Sequence, residues 1–115
     1  MNPPNLTMSI REVSDGVRVI DVVGEITSFS EEEIKAAHET AGAGASAVIL
    51  NFSGLEYMNS GGIGLLVTTL IRAQRDGHAL RAYGLSDHYR QIFSLTRLDE
   101  AIGIFDNESA AAVGR

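Results

Sequence analysis

Cysteine and tryptophan are absent, proline occurs twice, and aromatic residues make up only 6% of the 115 positions. Without cysteine there are no disulfides and no thiolate metal ligands, which fits a reducing compartment. With so few aromatics, a core must be built from aliphatic side chains. Positive charge is also scarce: the formal net charge is -6, which argues against nucleic acid or an anionic membrane surface as the main partner, since both reward a basic patch. Apolar runs extend only a handful of residues, too short to span a bilayer. Met1-Asn2-Pro3-Pro4-Asn5 has neither a basic nor an apolar signal-peptide region, and no leader is expected. Both ends are expected to fray.

Hydrophobic residues account for 44% of the chain, enough for one core, and the length fits one domain over residues 1–115. Little room remains for separate catalytic and substrate domains.

Alternation over residues 6–13 predicts an edge strand, and Asp15-Gly16 a hairpin turn. In the following strand, Val17, Val19, Asp21 and Val23 share one face and Ile20 and Val22 the other. Apolar residues on both faces predict cover on both sides. Ser30 with Glu33 reads as a capping box, Phe29 with Ile34 as a hydrophobic staple, and Glu31, Glu32 and Glu33 as a first turn suited to the helix dipole. Gly42 and Gly44 end that helix. Residues 47–52 form a continuous apolar strand, broken at Ser53-Gly54 by a loop running to Ser60.

Ile63, Leu66, Val67, Leu70 and Ile71 then recur at helical spacing, with Gly77 as the stop. A strand at residues 80–83, a helix capped by Ser86, a short strand at 102–105 and an Ala-rich helix capped by Asp106 or Asn107 complete the chain. The order β-β-α-β-α-β-α-β-α predicts an α/β fold: a mostly parallel sheet of about five strands, opened by a hairpin and packed with helices. Val48, Ile49 and Leu50 are expected to be buried, and Ile63, Leu66, Val67 and Leu70 to face the sheet. Partners of such sheets gather at the carboxyl ends of the strands.

One segment stands out: Tyr57-Met58-Asn59-Ser60-Gly61-Gly62-Ile63-Gly64. Ser60 occupies a predicted N-cap. The glycines behind it are poor helix formers, each costing up to about 1 kcal/mol against alanine. Bare backbone there would let a partner approach the Ser60 hydroxyl closely, and the free N–H groups of a helix start favour an anion. A phosphoryl group would add a charge of about -1.5 to -2 at pH 7. Residue chemistry alone also allows a plain capping serine in a tight turn. Met58 reads as core, and Tyr57 as either core or contact.

Other constellations carry less. Gly-Lys-Ser/Thr is missing, so the glycines are not a nucleotide-binding P-loop. Met58 occupies the first glycine position of a nucleophile elbow, and no base or oxyanion pair accompanies Ser60, so a serine hydrolase is disfavoured. His38, His78 and His88 lack metal spacing and are expected to be solvated. Arg72, Arg75, Arg81, Arg90 and Arg97 are dispersed, as helix ends and ion pairs require.

The Ser60 segment resembles the STAS family of anti-sigma factor antagonists, which typically carry Asp-Ser-Ser/Thr-Gly-Leu-Gly before an aliphatic helix. Gly24-Glu25-Ile26 resembles the end of that family's second strand, and Ala47-Val48-Ile49-Leu50-Asn51-Phe52-Ser53-Gly54 its third strand and turn. Asn59 replaces the usual Asp, Gly61 the second Ser/Thr, and Thr27 and Asn51 stand where Asp is common. The resemblance implies a single STAS domain acting as a cytoplasmic, non-enzymatic binding module. It places phosphorylation on Ser60 and partner contacts on Glu25, Thr27, Tyr57, Met58, Asn59, Gly61, Gly62 and Ile63. It implies an anti-sigma factor serine kinase as partner, a PP2C-type phosphatase to reset the switch, no cofactor of the chain's own, and a monomer or weak dimer. The same fold also serves as a subunit of lipid-transport ABC complexes and as a constitutive scaffold.

Overall fold

A computed structural model describes residues 5–114. The predicted fraying falls partly on residues 1–4 and 115, outside the described residues. The strands are β1 (Leu6–Ser14), β2 (Val17–Ile26), β3 (Ala47–Met58), β4 (Ala79–Tyr83) and β5 (Gly103–Phe105). The helices are α1 (Glu31–Gly42), α2 (Ser60–Asp76), α3 (Asp87–Leu95) and α4 (Glu108–Val113). The sheet order is β1-β2-β3-β4-β5; β1 and β2 are antiparallel and the other pairs parallel. This is the expected α/β architecture.

Because the order is sequential, each crossover joins neighbouring strands, and crossovers of one hand place their helices on one face. Residues of β3 alternate between two cores. Val48 and Leu50 pack with Ile34, Ala37 and Ala41 of α1, Leu66 and Ala73 of α2, and Phe93 of α3. Ala47 and Ile49 face the other way, with Val17, Val19, Tyr83 and Ala111 of α4. The third strand is buried as expected.

Across the α4 face runs a polar row. Arg11 of β1 donates to both Asp21 oxygens (2.6 and 2.9 Å) and to Glu108 (2.7 Å). Tyr83 donates to Glu108 at 2.8 Å, and Asn51 to Asp21 at 2.8 Å. The Arg11 hydrogen bonds hold the Asp21 and Glu108 carboxyls below their ordinary range, and desolvation first, then Glu108, pushes Tyr83 up to about 12. Asn51 thus serves the sheet face opposite α1–α3, in mid-strand.

Four local expectations are overturned. First, β3 does not break at Ser53-Gly54 but runs on to Met58, because β2 follows it through two register shifts until Ile26 pairs with Met58. Gly54 marks a close approach instead: a Cβ there would lie 2.9 Å from the Val23 side chain and 3.0 Å from the Val22 carbonyl oxygen.

Second, a 3₁₀ turn (Ser28–Ser30) is inserted before α1. The Thr27 hydroxyl accepts from Phe29 N–H, and the buried Ser30 hydroxyl accepts from Thr27 N–H, so Ser30 does not cap α1. Phe29 is 76% exposed and makes no staple.

Third, of the α2 residues expected to face the sheet, Leu66 is buried and Ile63 and Leu70 pack half-buried on the same core, but Val67 is 39% exposed; Gly62, Thr69 and Ala73 complete the buried line, and Ile71 is 57% exposed.

Fourth, His38 and His78 are buried, with their Nε2 atoms 2.8 Å apart, tying α1 to the turn after α2; His88 alone is exposed. One ring must donate and the other accept. His78 Nδ1 is buried without a partner. A bare lone pair is the cheaper orphan, so His78 carries its proton on Nε2 and donates to His38. Desolvation lowers the pKa of both rings; at His38 the neighbouring His78 adds to the effect, while Asp76 opposes it at both rings.

The unfolded histidines therefore take up protons at a pH where the folded pair does not. Stability is full above about pH 6.5 and falls as the pH drops below it. Asp21 and Glu108 contribute in the same direction only at lower pH, below about 4. We expect the melting temperature to fall between pH 7 and pH 5, and a His38→Leu/His78→Leu double variant to stay level over that interval. Parallel melts decide it; equal slopes would show that the pair does not cause the acid sensitivity.

Candidate functional site

The site is built where β2 and β3 end together. Beyond the Ile26–Met58 pair, Asn59 N–H still bonds to the Ile26 carbonyl at 3.3 Å. Asn59 is extended (φ -100°, ψ -176°), and its side-chain oxygen accepts from Gly62 N–H at 3.0 Å. Its carbonyl accepts from Ile63 N–H at 3.0 Å. Asn59, not Ser60, is therefore the N-cap. The expectation named Ser60, but the extended residue before it takes the role because its side chain reaches the third helical N–H.

Ser60 becomes the first residue of α2 and is exposed. Among the described residues, none hydrogen-bonds to its hydroxyl. The N–H groups of Ser60 and Gly61 have no intrahelical acceptor.

The glycines do a different job from the one expected. A Cβ on Gly61 would lie 2.8 Å from Ser28 Cβ and 3.0 Å from Ser28 N. On Gly62 it would run into the Ile26 carbonyl, 2.9 Å from its carbon. Both glycines let the start of α2 seat directly on the β2–3₁₀ junction. Of the three in this region, only Gly64 opens onto free space.

The remaining predicted residues surround this junction. Glu25 is half-buried opposite Tyr57, and Thr27 caps the 3₁₀ turn. Tyr57 is 48% exposed. Met58 is buried, as a core residue should be; its N–H donates to the Tyr89 hydroxyl at 2.8 Å, which braces the strand end from α3. Asn59 and Ile63 are half-buried. Exposed Phe29 also lies near this junction, on the turn that packs against α2.

Chemically, the arrangement presents an unactivated hydroxyl at a helix start. It suits receipt of a group from outside better than attack on a bound substrate. Among the described residues, no cluster of three or more His, Asp or Glu side chains is placed to hold a metal, and no helix is long and apolar enough to cross a membrane.

Comparison with known proteins gives a consistent result. The family described as STAS domain matches residues 9–111. The anti-sigma-B factor antagonist of Listeria monocytogenes is 28% identical over 101 residues, covering 87% of this chain and 89% of that protein. The crystal structure of an anti-sigma factor antagonist from Mycobacterium paratuberculosis superposes with a TM-score of 0.80 at 22% identity, covering 97% of this chain and 95% of that one. The Bacillus cell fate determinant SpoIIAA, in its phosphorylated form, gives a TM-score of 0.71 at 23% identity, covering 95% of this chain and 100% of its own.

Proposed function

The chain belongs to the STAS-domain family, and on that premise we propose that it is an anti-sigma factor antagonist switched by phosphorylation of Ser60. The observation that carries this reading is the position of Ser60: exposed, first in α2 and outside the cap. A modified residue placed there changes the surface without disturbing the helix start.

In the unmodified state the surface around Ser60, with Tyr57, Asn59, Ile63, Glu25 and Thr27 nearby, engages a serine-kinase anti-sigma factor and so frees the sigma factor. The kinase brings ATP. The Ser60 oxygen attacks the terminal phosphorus, ADP leaves, and the hydroxyl proton passes to a base on the kinase. The added charge of about -2 meets the open N–H groups of the first turn, where a helix favours an anion. Asn59 leaves that charge beside a neutral cap rather than a carboxylate. A docked partner has no such compensation, and the complex separates; a PP2C-type phosphatase restores the hydroxyl. The chain works in the cytoplasm as a monomer or weak dimer and needs no cofactor of its own. The Listeria relative is an anti-sigma-B factor antagonist, and a structural relative was solved phosphorylated, which supports this reading.

The test is affinity capture from native lysate, mass spectrometric identification of the partner, and addition of ATP to the recovered complex. We expect a serine kinase, one phosphate on the Ser60 peptide, and release. Recovery of an ABC ATPase instead would move the protein to a transport complex. An unmodified Ser60 in a lasting complex would make it a constitutive scaffold.

A further inference from the structure

The sheet closes unevenly at its β5 edge. β5 is three residues long and starts opposite Arg81, so Ala79 and Leu80, where β4 begins, have no strand beside them on that side. The last turns of α2 reach this corner with Leu70 and Gln74, and α4 ends beside it at Gly114. Between them lies a cavity of about 250 Å³. Leu70, Leu80 and Phe105 make its apolar walls, and exposed Gln74 stands at the rim. His78 also lines it; the ring is buried, and desolvation lowers its pKa, so it is neutral at pH 7. Arg81 is therefore the one charged residue on the cavity wall.

That charge is fixed in place. Half-buried Arg81 donates through Nη1 to the Ala111 carbonyl at 3.0 Å and reaches the Ala112 carbonyl at 3.5 Å, at a helix end that favours a cation. Gly114 lies against the guanidinium: a Cβ there would fall 2.6 Å from both Cζ and Nη2. On Gly103, a Cβ would fall 2.9 Å from the Phe105 ring and 3.7 Å from the Arg81 stem, so the bare glycine leaves room between them. The chain holds 15 acidic residues, yet among the described residues none pairs with Arg81, and its Nη2 and Nε meet no acceptor. An acidic protein thus keeps one immobilised guanidinium unneutralised at an apolar hollow.

We propose that this cavity binds a small apolar carboxylic acid. The Nη2–Nε edge of a guanidinium is laid out for two parallel hydrogen bonds to a carboxylate. Leu70, Leu80 and Phe105 take the apolar part of the ligand out of water, which a bare inorganic anion cannot exploit. The volume sets the size: an apolar cavity of about 150 Å³ accepts benzene, so this one accepts a single ring, or a chain of like bulk, together with its carboxylate. The site lies at the far end of α2 from Ser60 and does not depend on the reading of that residue.

The test follows backbone amide chemical shifts of the purified chain while benzoate, its neutral isostere benzamide, or inorganic phosphate is added. Arg81→Met, which keeps the stem and removes the charge, and Gln74→Glu, which sets a repelling carboxylate at the exposed rim, are titrated alongside, each with a thermal melt. We expect benzoate to saturate one site with shifts centred on Leu70, Leu80, Arg81 and Phe105. Benzamide, phosphate and both variants with benzoate should each bind at least about tenfold more weakly. Should Arg81→Met lose α4 and melt early, Gln74→Glu decides, since that exposed position carries no packing. Absence of saturable benzoate binding, or shifts centred elsewhere, overturns the proposal. Equal affinity for benzamide, or wild-type affinity in folded Arg81→Met and in Gln74→Glu, removes the role of the guanidinium and overturns it too. Phosphate binding as tightly as benzoate would show an anion site without use of the apolar walls, which overturns the ligand class.

Discussion

Ser60→Asp is expected to weaken binding to the kinase about 100-fold or more while leaving the fold intact. The two halves of that statement rest on different atoms. Asn59 holds the helix start, so replacing Ser60 removes no capping bond. A carboxylate in the first turn is favoured by the helix dipole by about 0.3–1 kcal/mol. In a closed interface the same carboxylate loses water without gaining a partner, at a cost of several kcal/mol. At 1.4 kcal/mol per tenfold, two orders of magnitude follow. Ser60→Ala should bind as wild type and melt within about 0.5 kcal/mol of it, as exposed substitutions do. Calorimetric titration with parallel melts reads both quantities. Equal affinity for all three chains would remove the switch; a collapsed melt in Ser60→Asp would show that Ser60 is structural after all.

Gly62→Ala should lower the melting temperature by about 10 °C, and Gly64→Ala, two residues on, should raise it slightly. A methyl on Gly62 runs into the Ile26 carbonyl, whose oxygen is already fixed by Asn59 N–H. Backbone on both sides cannot yield as a side chain would, so α2 must lift from the sheet and strain the Asn59 cap. Overpacking costs about 1–3 kcal/mol, and lost capping about 1 more. Alanine's helix propensity returns up to about 1 kcal/mol. The net, about 2 kcal/mol, corresponds to the stated shift at about 4–8 °C per kcal/mol in a domain near this size. At Gly64 only the propensity gain remains, because nothing lies within reach of the new methyl. Thermal denaturation of the two variants side by side is the measurement. If Gly62→Ala melts like wild type, the close seating of α2 is wrong.

What could be read in advance, and what could not, divides on the range of the interactions. Val48, Ile49 and Leu50 announce a strand buried on both faces because the signal sits in consecutive residues. Gly77, with φ 82°, ends α2 as its position suggested. The continuation of β3 past Gly54 was hidden, since it depends on pairing with β2, some thirty residues away, across two register shifts. The orientation of α2 was legible at Leu66, Ile63 and Leu70 but not at Val67, because the rest of the buried line is Gly62, Thr69 and Ala73, small residues that carry little hydrophobic signal. Thr69 is tolerated there because its hydroxyl donates to the Leu65 carbonyl at 2.8 Å. His38 and His78 lie forty residues apart, and neither carries a local mark of the other. At the site itself, the location of Ser60 was legible from its motif. Which of two neighbours caps the helix was not, because that depends on where β3 lets go of β2.

The polar row on the α4 face bears on how the domain comes apart. Arg11 and Glu108 are separated by 97 positions, and between them Asp21, Asn51 and Tyr83 take one residue from each of three further strands. The thread crosses the grain of the sheet and clasps the first strand to the last helix. Individually, such partly exposed ion pairs are weak; as a clasp they couple two elements that would otherwise peel away separately. Loosening β1 strips α4 of its anchor, and lifting α4 leaves Arg11 without one of its two carboxylates. The edges of the domain are thereby enlisted into the same cooperative unit as its middle.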